Sequence, residues 1–257
     1  MVKWLQQIHV GKTQAPPRVL IYGTEGIGKT TFAAHAPRPV FIQTEDGVDA
    51  IDCHAFPLAH RLEDVRAALA ELHSESHEYE TVVIDSLDWL EQLIWDRLCA
   101  DYGVRHIEQV GGGYGRCYTY ALRYWREILE ALMRLRNDRA MAVILVAHSK
   151  IERVEDPVMM AYDRYSPSLQ KLATALVSEW LDVILFAHWA HRTRSEDGTC
   201  GRERHIAVPI DANGPNRVVH TVGGPGWIAK SRYALPRTLP LEWNAFAAAL
   251  QNGYVPK

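Results

Sequence analysis

No apolar run in this 257-residue sequence approaches the roughly 18 residues a membrane-spanning helix needs. The opening MVKWLQQIHVGKTQ also lacks the apolar segment of a secretion signal. Cysteine is scarce: Cys53, Cys99, Cys117 and Cys200 lie far apart with no C-x-x-C pair. That pattern argues against a disulfide framework or a structural zinc, and for reduced thiols in a cytoplasmic compartment. Charge of one sign is missing too. Formal net charge is −3, so a polyanion would have to meet a local patch rather than a global field. His188 and His191 stand three apart at a strand end, where that spacing does not aim both at one metal ion. Repeats, low-complexity tracts and linker-like stretches are absent as well, so one domain over 1–257 is expected. Residues 1–16 form its lead-in and 241–257 its closing helix and tail. What is present, 47% hydrophobic and 23% charged residues, is the composition of a globular chain long enough to bury a core without staples.

Short apolar runs alternate with helical patterns through the first two thirds of the chain. Residues 18–22 (RVLIY), 40–44 (VFIQT), 81–85 (TVVID), 141–147 (MAVILVA) and 182–188 (DVILFAH) read as strands. Helices are expected from Lys29 to a stop before Pro37, and over 61–73, 89–100 and 118–137. Ser166-Pro167 reads as the N-cap and first turn of a further helix. Continuous apolar strands between helices indicate a mostly parallel sheet flanked by helices, an α/β fold. Beyond 188 the pattern becomes strand and turn, at 204–210, 217–222 and 227–228, with Gly- and Pro-rich turns between. That reads as an antiparallel C-terminal extension of the same sheet.

Gly23-Thr24-Glu25-Gly26-Ile27-Gly28-Lys29-Thr30, followed by Thr31, fits G-x-x-x-x-G-K-[ST] between a strand and a helix. Glycines let successive N–H groups curl around an anion at a helix N-terminus. Lys29 would reach the β- and γ-phosphates of ATP, and the Thr30 hydroxyl would ligate Mg²⁺. A second Gly-Lys-Thr at 11–13 lacks the upstream glycine and runs into Pro16-Pro17, which forbids a following helix. Asp85, delivered to the sheet edge by an apolar strand, is the expected partner for Mg²⁺.

Three further stretches give the loop a family resemblance. Glu45 follows the strand after the phosphate-loop helix, in FIQTEDG. His148 ends the strand ILVAHSK, and Lys230 and Arg232 stand in AKSRYALP. Together these motifs resemble the phage-encoded RecA-like ATPases of the Sak type, over residues 17–240 and in the same order. The resemblance implies a RecA-like P-loop NTPase core. It makes Glu45 the base that activates water, where AAA+ proteins usually carry a glutamate beside the strand-end aspartate. Here Ser86 and Leu87 follow Asp85. It makes His148 the γ-phosphate sensor, where recombinases commonly have glutamine. Lys230 and Arg232 become a finger for a neighbouring subunit's nucleotide.

The resemblance also implies an ATP hydrolase that binds single-stranded DNA in recombination or single-strand annealing. Its expected assembly is a head-to-tail ring or filament, with a single-strand-binding or annealing protein as a further partner and no membrane. The expected location is the cytoplasm, that of the host cell if the chain is phage-encoded. DNA contacts are expected from two loops that follow strands: 149–166, with Lys150, Arg153, Tyr162 and Arg164 beside Met159, Met160 and Tyr165, and 102–118, with Tyr114 and Arg116 in a glycine-rich stretch at 111–116 that reads as mobile. Acids at Glu152, Glu155, Asp156 and Asp163 oppose them. From 187 to 237 eight Lys/Arg stand against four Asp/Glu, so part of this segment is a candidate basic surface. A DnaB-like ring motor shares the finger and stays open, as does a small-molecule P-loop kinase.

Overall fold

Alternation along the apolar strands decides how the layers form. The computed structural model describes residues 11, 15–156, 160–197, 203–209 and 217–253, with the backbone alone at 191–197, 203–209 and 253. The chain begins with β1 (Arg18–Gly23), α1 (Lys29–Ala34), β2 (Pro39–Gln43), β3 (His54–Ala55) and α2 (Leu62–Ser74). It continues through β4 (Thr81–Asp85), α3 (Leu87–Tyr102), a 3₁₀ turn (Ile107–Gly112), α4 (Arg116–Asp138), β5 (Ala142–Val154), β6 (Tyr162–Pro167) and α5 (Lys171–Trp180). Then come β7 (Val183–Trp189), β8 (His191–Asp197), β9 (Glu203–Pro209), β10 (Arg217–His220), β11 (Lys230–Ser231), β12 (Thr238–Pro240) and α6 (Trp243–Gly253).

The main sheet runs β12-β10-β7-β1-β5-β4-β2-β3, with β11 also on β7 and β6 on β5. The six strands from β7 to β3 in that order are mutually parallel. Successive side chains of a strand point to opposite faces. Leu20, Tyr22, Val82, Ile84, Val143, Leu145 and Phe186 therefore pack on one side, against α2, α3, α4 and α5. Val19, Ile21, Val83, Ile144, Val146, Val183 and Leu185 pack on the other, against Phe32 of α1 and Phe246 of α6. The long α4 covers its face with Ala121, Tyr124, Trp125, Ile128, Leu129, Leu132 and Leu135, an apolar stripe at helical spacing.

At the end of the sheet where β1 and β7 begin, a buried carboxylate ties the layers together. Asp182 takes the Arg18 backbone N–H at 3.1 Å and its guanidinium at 3.0 and 2.6 Å. Arg136 of α4 and Arg232 beyond β11 also approach it, at 3.8 and 3.4 Å.

Five expectations change. Residues 149–166 are not a loop: β5 continues to Val154 and pairs antiparallel with β6, so a β-hairpin leaves the sheet edge, its residues 157–159 lying outside the described ones. Ser166-Pro167 ends that hairpin instead of starting a helix. Their ladder partners Lys150 and Ser149 hold them extended, and α5 is capped by Gln170, whose side chain accepts from Leu172 N at 2.6 Å. The glycine-rich stretch before α4 is a 3₁₀ turn pinned by Val110, which is fully buried. The antiparallel extension is real in β10 and β12, but among the described residues β8 and β9 pair with each other in a two-stranded sheet of their own. Of residues 227–228, Trp227 makes isolated bridges to Tyr165 and Gly224, and the strand lies at β11.

Candidate nucleotide site

The register of three parallel strands builds the site. Val83 and Val146 point to the α1 face, so two residues further on Asp85 and His148 point there too. The phosphate loop between β1 and α1 opens on the same side. Gly23 must be glycine, since a Cβ there would stand 2.3 Å from the Ala187 carbonyl oxygen of β7. Gly28 caps α1 at φ 108°, in the left-handed region that favours glycine.

A pocket of about 290 Å³ results, and it brings together Gly26, Gly28, Lys29, Thr30, Thr31, Glu45, Asp85 and His148. Lys29 is buried, and its amine donates to the Gly23 and Thr24 carbonyls at 3.2 and 3.0 Å. Burial pushes its pKa down, although Asp85, Asp88 and Glu45 pull it back up. An ammonium has three donors, and two are used here, so a phosphate oxygen would be both a further acceptor and a counter-charge. The Thr30 hydroxyl donates to Asp85 Oδ2 at 2.7 Å. Burial raises the Asp85 pKa against the opposing Thr30 hydrogen bond, so a cation between these two oxygens would stabilise the ionised form. This donor set, hard oxygens beside a phosphate cradle, fits Mg²⁺ held with a nucleotide.

Glu45 leaves β2 beside Asp85. Thr44 N and Glu45 N both donate to the Asp85 carbonyl, at 2.8 and 3.3 Å, and Thr44 Oγ1 donates to Ser86 O at 2.6 Å. Ser86 Oγ donates to Glu45 Oε2 at 2.9 Å, and His148 Nδ1 lies 3.9 Å from that same oxygen.

Sequence reasoning passed over Ser86 and Asp88. Asp88 accepts from His148 twice, Nδ1 to Oδ2 at 2.8 Å and backbone N to Oδ1 at 3.1 Å. In the sequence Asp88 is an acid in the first turn of a helix, where the helix dipole already accounts for it. Its three-residue offset from Asp85 was the available signal.

The remaining candidates lie elsewhere. On β7, Ala187 faces Gly23 across the β1 ladder while Ile184 faces Lys230, so the pair Lys230 and Arg232 sits toward the opposite end of the sheet from the phosphate loop. Lys230 Nζ donates to the Ser178 carbonyl, and Arg232 Nη2 to the Glu179 carbonyl at 3.2 Å. Both cations thus reach the last turn of α5. Burial lowers the Lys230 pKa, and Arg232 beside it adds to the effect. Of the expected DNA residues, Lys150 Nζ donates to the Leu169 carbonyl, Arg153 pairs with Asp163 at 3.6 Å and Arg164 with Glu152 at 3.6 Å. Met160 is 91% exposed and Tyr114 fully so, whereas Met159 lies outside the described residues. Tyr114 and Arg116 stand at the start of α4, apart from the hairpin in sequence. No helix among the described residues is long and apolar enough to cross a membrane.

Comparison with known proteins gives the geometry a family. The SPbeta prophage-derived uncharacterized protein YorG of Bacillus subtilis (strain 168) is 24% identical over 172 residues, 65% of this chain and 49% of that protein. The match spans about half the length of that relative. A family model described as an AAA domain (AAA_24) matches residues 15–233, which takes in the phosphate loop, Glu45, Asp85, His148 and the Lys230–Arg232 pair. With that much of the chain matched, and a phosphate loop seated beside a strand-end aspartate, the protein belongs to the AAA domain family of P-loop ATPases.

Proposed function

We propose that the chain hydrolyses ATP in a RecA-like manner and couples the reaction to single-stranded DNA in phage-type recombination or single-strand annealing. The observation that carries the reading is the convergence of Lys29, Thr30, Asp85, Glu45 and His148 on one pocket. Lys29 and the loop N–H groups hold the phosphates, and Thr30 with Asp85 holds Mg²⁺. The bound ion would supply charge neutralisation at the phosphate oxygens. Glu45, oriented by Ser86, is the residue that accepts a proton from the attacking water. His148 donates toward the γ-phosphate. The prophage origin of the relative supports a phage setting.

Within the chain Lys230 and Arg232 are bonded to carbonyls of the last turn of α5, which favours their use in trans by a neighbouring copy. A head-to-tail contact of this kind closes as a ring or runs on as a filament. The hairpin β5–β6 begins directly after His148, so a change at the sensor has a short path to residues 149–166.

The test is the Mg²⁺-dependent ATPase rate with and without single-stranded oligonucleotide, with binding measured across a salt series. Stimulation by single strands is expected, with affinity that needs ATP and falls as salt rises. Equal affinity for single and double strands with or without nucleotide would remove the DNA reading. ATP-driven unwinding of a forked duplex would turn it to a ring motor.

A further inference from the structure

Asp88 is not among the residues that line the pocket, yet its carboxylate accepts from both the ring and the backbone N–H of the sensor residue, His148. Its carboxylate can only accept when ionised, so the nitrogen facing it, His148 Nδ1, carries a proton. The second oxygen takes the His148 backbone N–H, which fixes the residue at both main chain and ring. With Nδ1 committed, the polar group that His148 offers the pocket it lines is Nε2. A neutral imidazole with its proton on Nδ1 would present a lone pair there, which repels a phosphate oxygen. Only the doubly protonated ring donates in both directions.

We infer that Asp88 is a positioning residue of the ATPase reaction, clamping His148 so that it meets the phosphate end of the nucleotide as an imidazolium donating from Nε2. The inference rests on the ATPase reading above for its consequence and on the Asp88–His148 contact for its geometry. Four charged groups face the ring: Asp88 from α3, Glu45 from beyond β2, Lys29 from α1 and Asp85 from the end of β4. The Asp88 hydrogen bond raises the His148 pKa most, burial and Lys29 oppose it, and the net direction is upward. Burial works against the Asp88 charge too, but the His148 hydrogen bonds outweigh it and hold the carboxyl below its ordinary value. Both shifts favour the ion pair, imidazolium against carboxylate, over its neutral form. A histidine held this way is a charge detector, stronger than the neutral amide of a glutamine would be.

The cation is kept below the raised His148 pKa and lost as pH rises through it, so turnover should fall on the alkaline side at a pH above the ordinary histidine range. Asp88→Asn keeps shape and an acceptor but removes the charge, which should move that limb to lower pH. At a pH between the variant's midpoint and the wild-type one, kcat should fall by about 10- to 100-fold, the worth of one charged hydrogen bond, while KM for ATP changes little.

The ring itself gives a readout independent of turnover. In ¹⁵N-labelled protein without nucleotide, His148 should show a protonated Nδ1 and a titration midpoint that drops in Asp88→Asn. An unchanged ring titration and pH–rate profile in that variant would overturn the inference. Should Asp88→Asn fail to unfold cooperatively, His148→Gln takes its place, and the alkaline limb should then disappear; a limb that persists counts against the inference. A wild-type protein without ATPase activity would defeat the proposed function while leaving the ring titration to decide Asp88.

Discussion

Lys29 is a cation folded into its own loop, donating to two carbonyls and held in a pocket it does not need for packing. Its removal should therefore cost chemistry and leave the fold intact. Lys29→Ala is expected to lose ATP hydrolysis with an unchanged urea midpoint, and a collapsed unfolding transition would make Lys29 structural instead. Glu45 supplies the contrasting case at the same scale. Glu45→Gln keeps its size and its hydrogen bond from Ser86 but loses basicity. It should bind ATP normally and hydrolyse it about 10²- to 10⁴-fold more slowly, the usual worth of a general base. Single-turnover kinetics separate the two effects, and a rate within about a factor of two of wild type removes Glu45 from the mechanism. These residues were legible as types at spacings, because a phosphate loop is a local backbone device. Asp88 was not, because its partner lies 60 residues away and only β5 beside β4 brings them together.

Among the elements, β1, β7, α4 and the turn after β11 are held together through one carboxylate. Asp182 is 4% exposed and faces Arg18, Arg136 and Arg232. Burial alone would raise its pKa, but the Arg18 hydrogen bonds and charge outweigh burial and hold it below the usual carboxylate range. A depressed carboxyl contributes stability above its unfolded pKa and loses it as pH falls through the folded one. Asp182→Ala leaves Arg18 as a buried unpaired cation, and about 3–5 kcal/mol of unfolding free energy should go with it. Urea titrations should show that difference at pH 7 and a smaller one at low pH, where wild type has lost the same contribution. A pH-independent difference would assign the effect to packing. Periodicity in the sequence marked these helices and strands well. It marked the hairpin poorly, because β6 carries alternating charge and owes its extended form to pairing with β5.

For the whole molecule the question is assembly. The start of the phosphate loop pairs at Ala187 of β7 and Lys230 at Ile184, so the two lie toward different ends of that strand, and a trans role for the pair would join neighbouring copies head to tail. Arg232→Ala should bind ATP nearly normally and turn it over slowly, since trans cations of this kind are worth about 10³–10⁵ in rate. Mixed with Lys29→Ala, it should regain part of the lost activity, at contacts where an intact loop meets an intact finger. Light scattering with ATP and single-stranded DNA should show larger assemblies in step with that recovery. Mixtures no more active than their parts, from a protein that stays monomeric, would return Lys230 and Arg232 to capping α5.

What the sequence alone determined was local and periodic. It held the phosphate loop, the strand-end Asp85, the parallel α/β class and the helical stripes of α2 and α4, because each depends on neighbours within a few turns of chain. Tertiary structure decided what depends on register between distant strands. Whether Asp85 and His148 share the α1 face, whether 149–166 is loop or hairpin, and which edge receives Lys230 were all set by strand pairing. A shift of one residue in any of those ladders would turn the same side chains to the other face of the sheet. The chemistry of the pocket is thus written in residue types, and its geometry in the pairing of β1, β5 and β4.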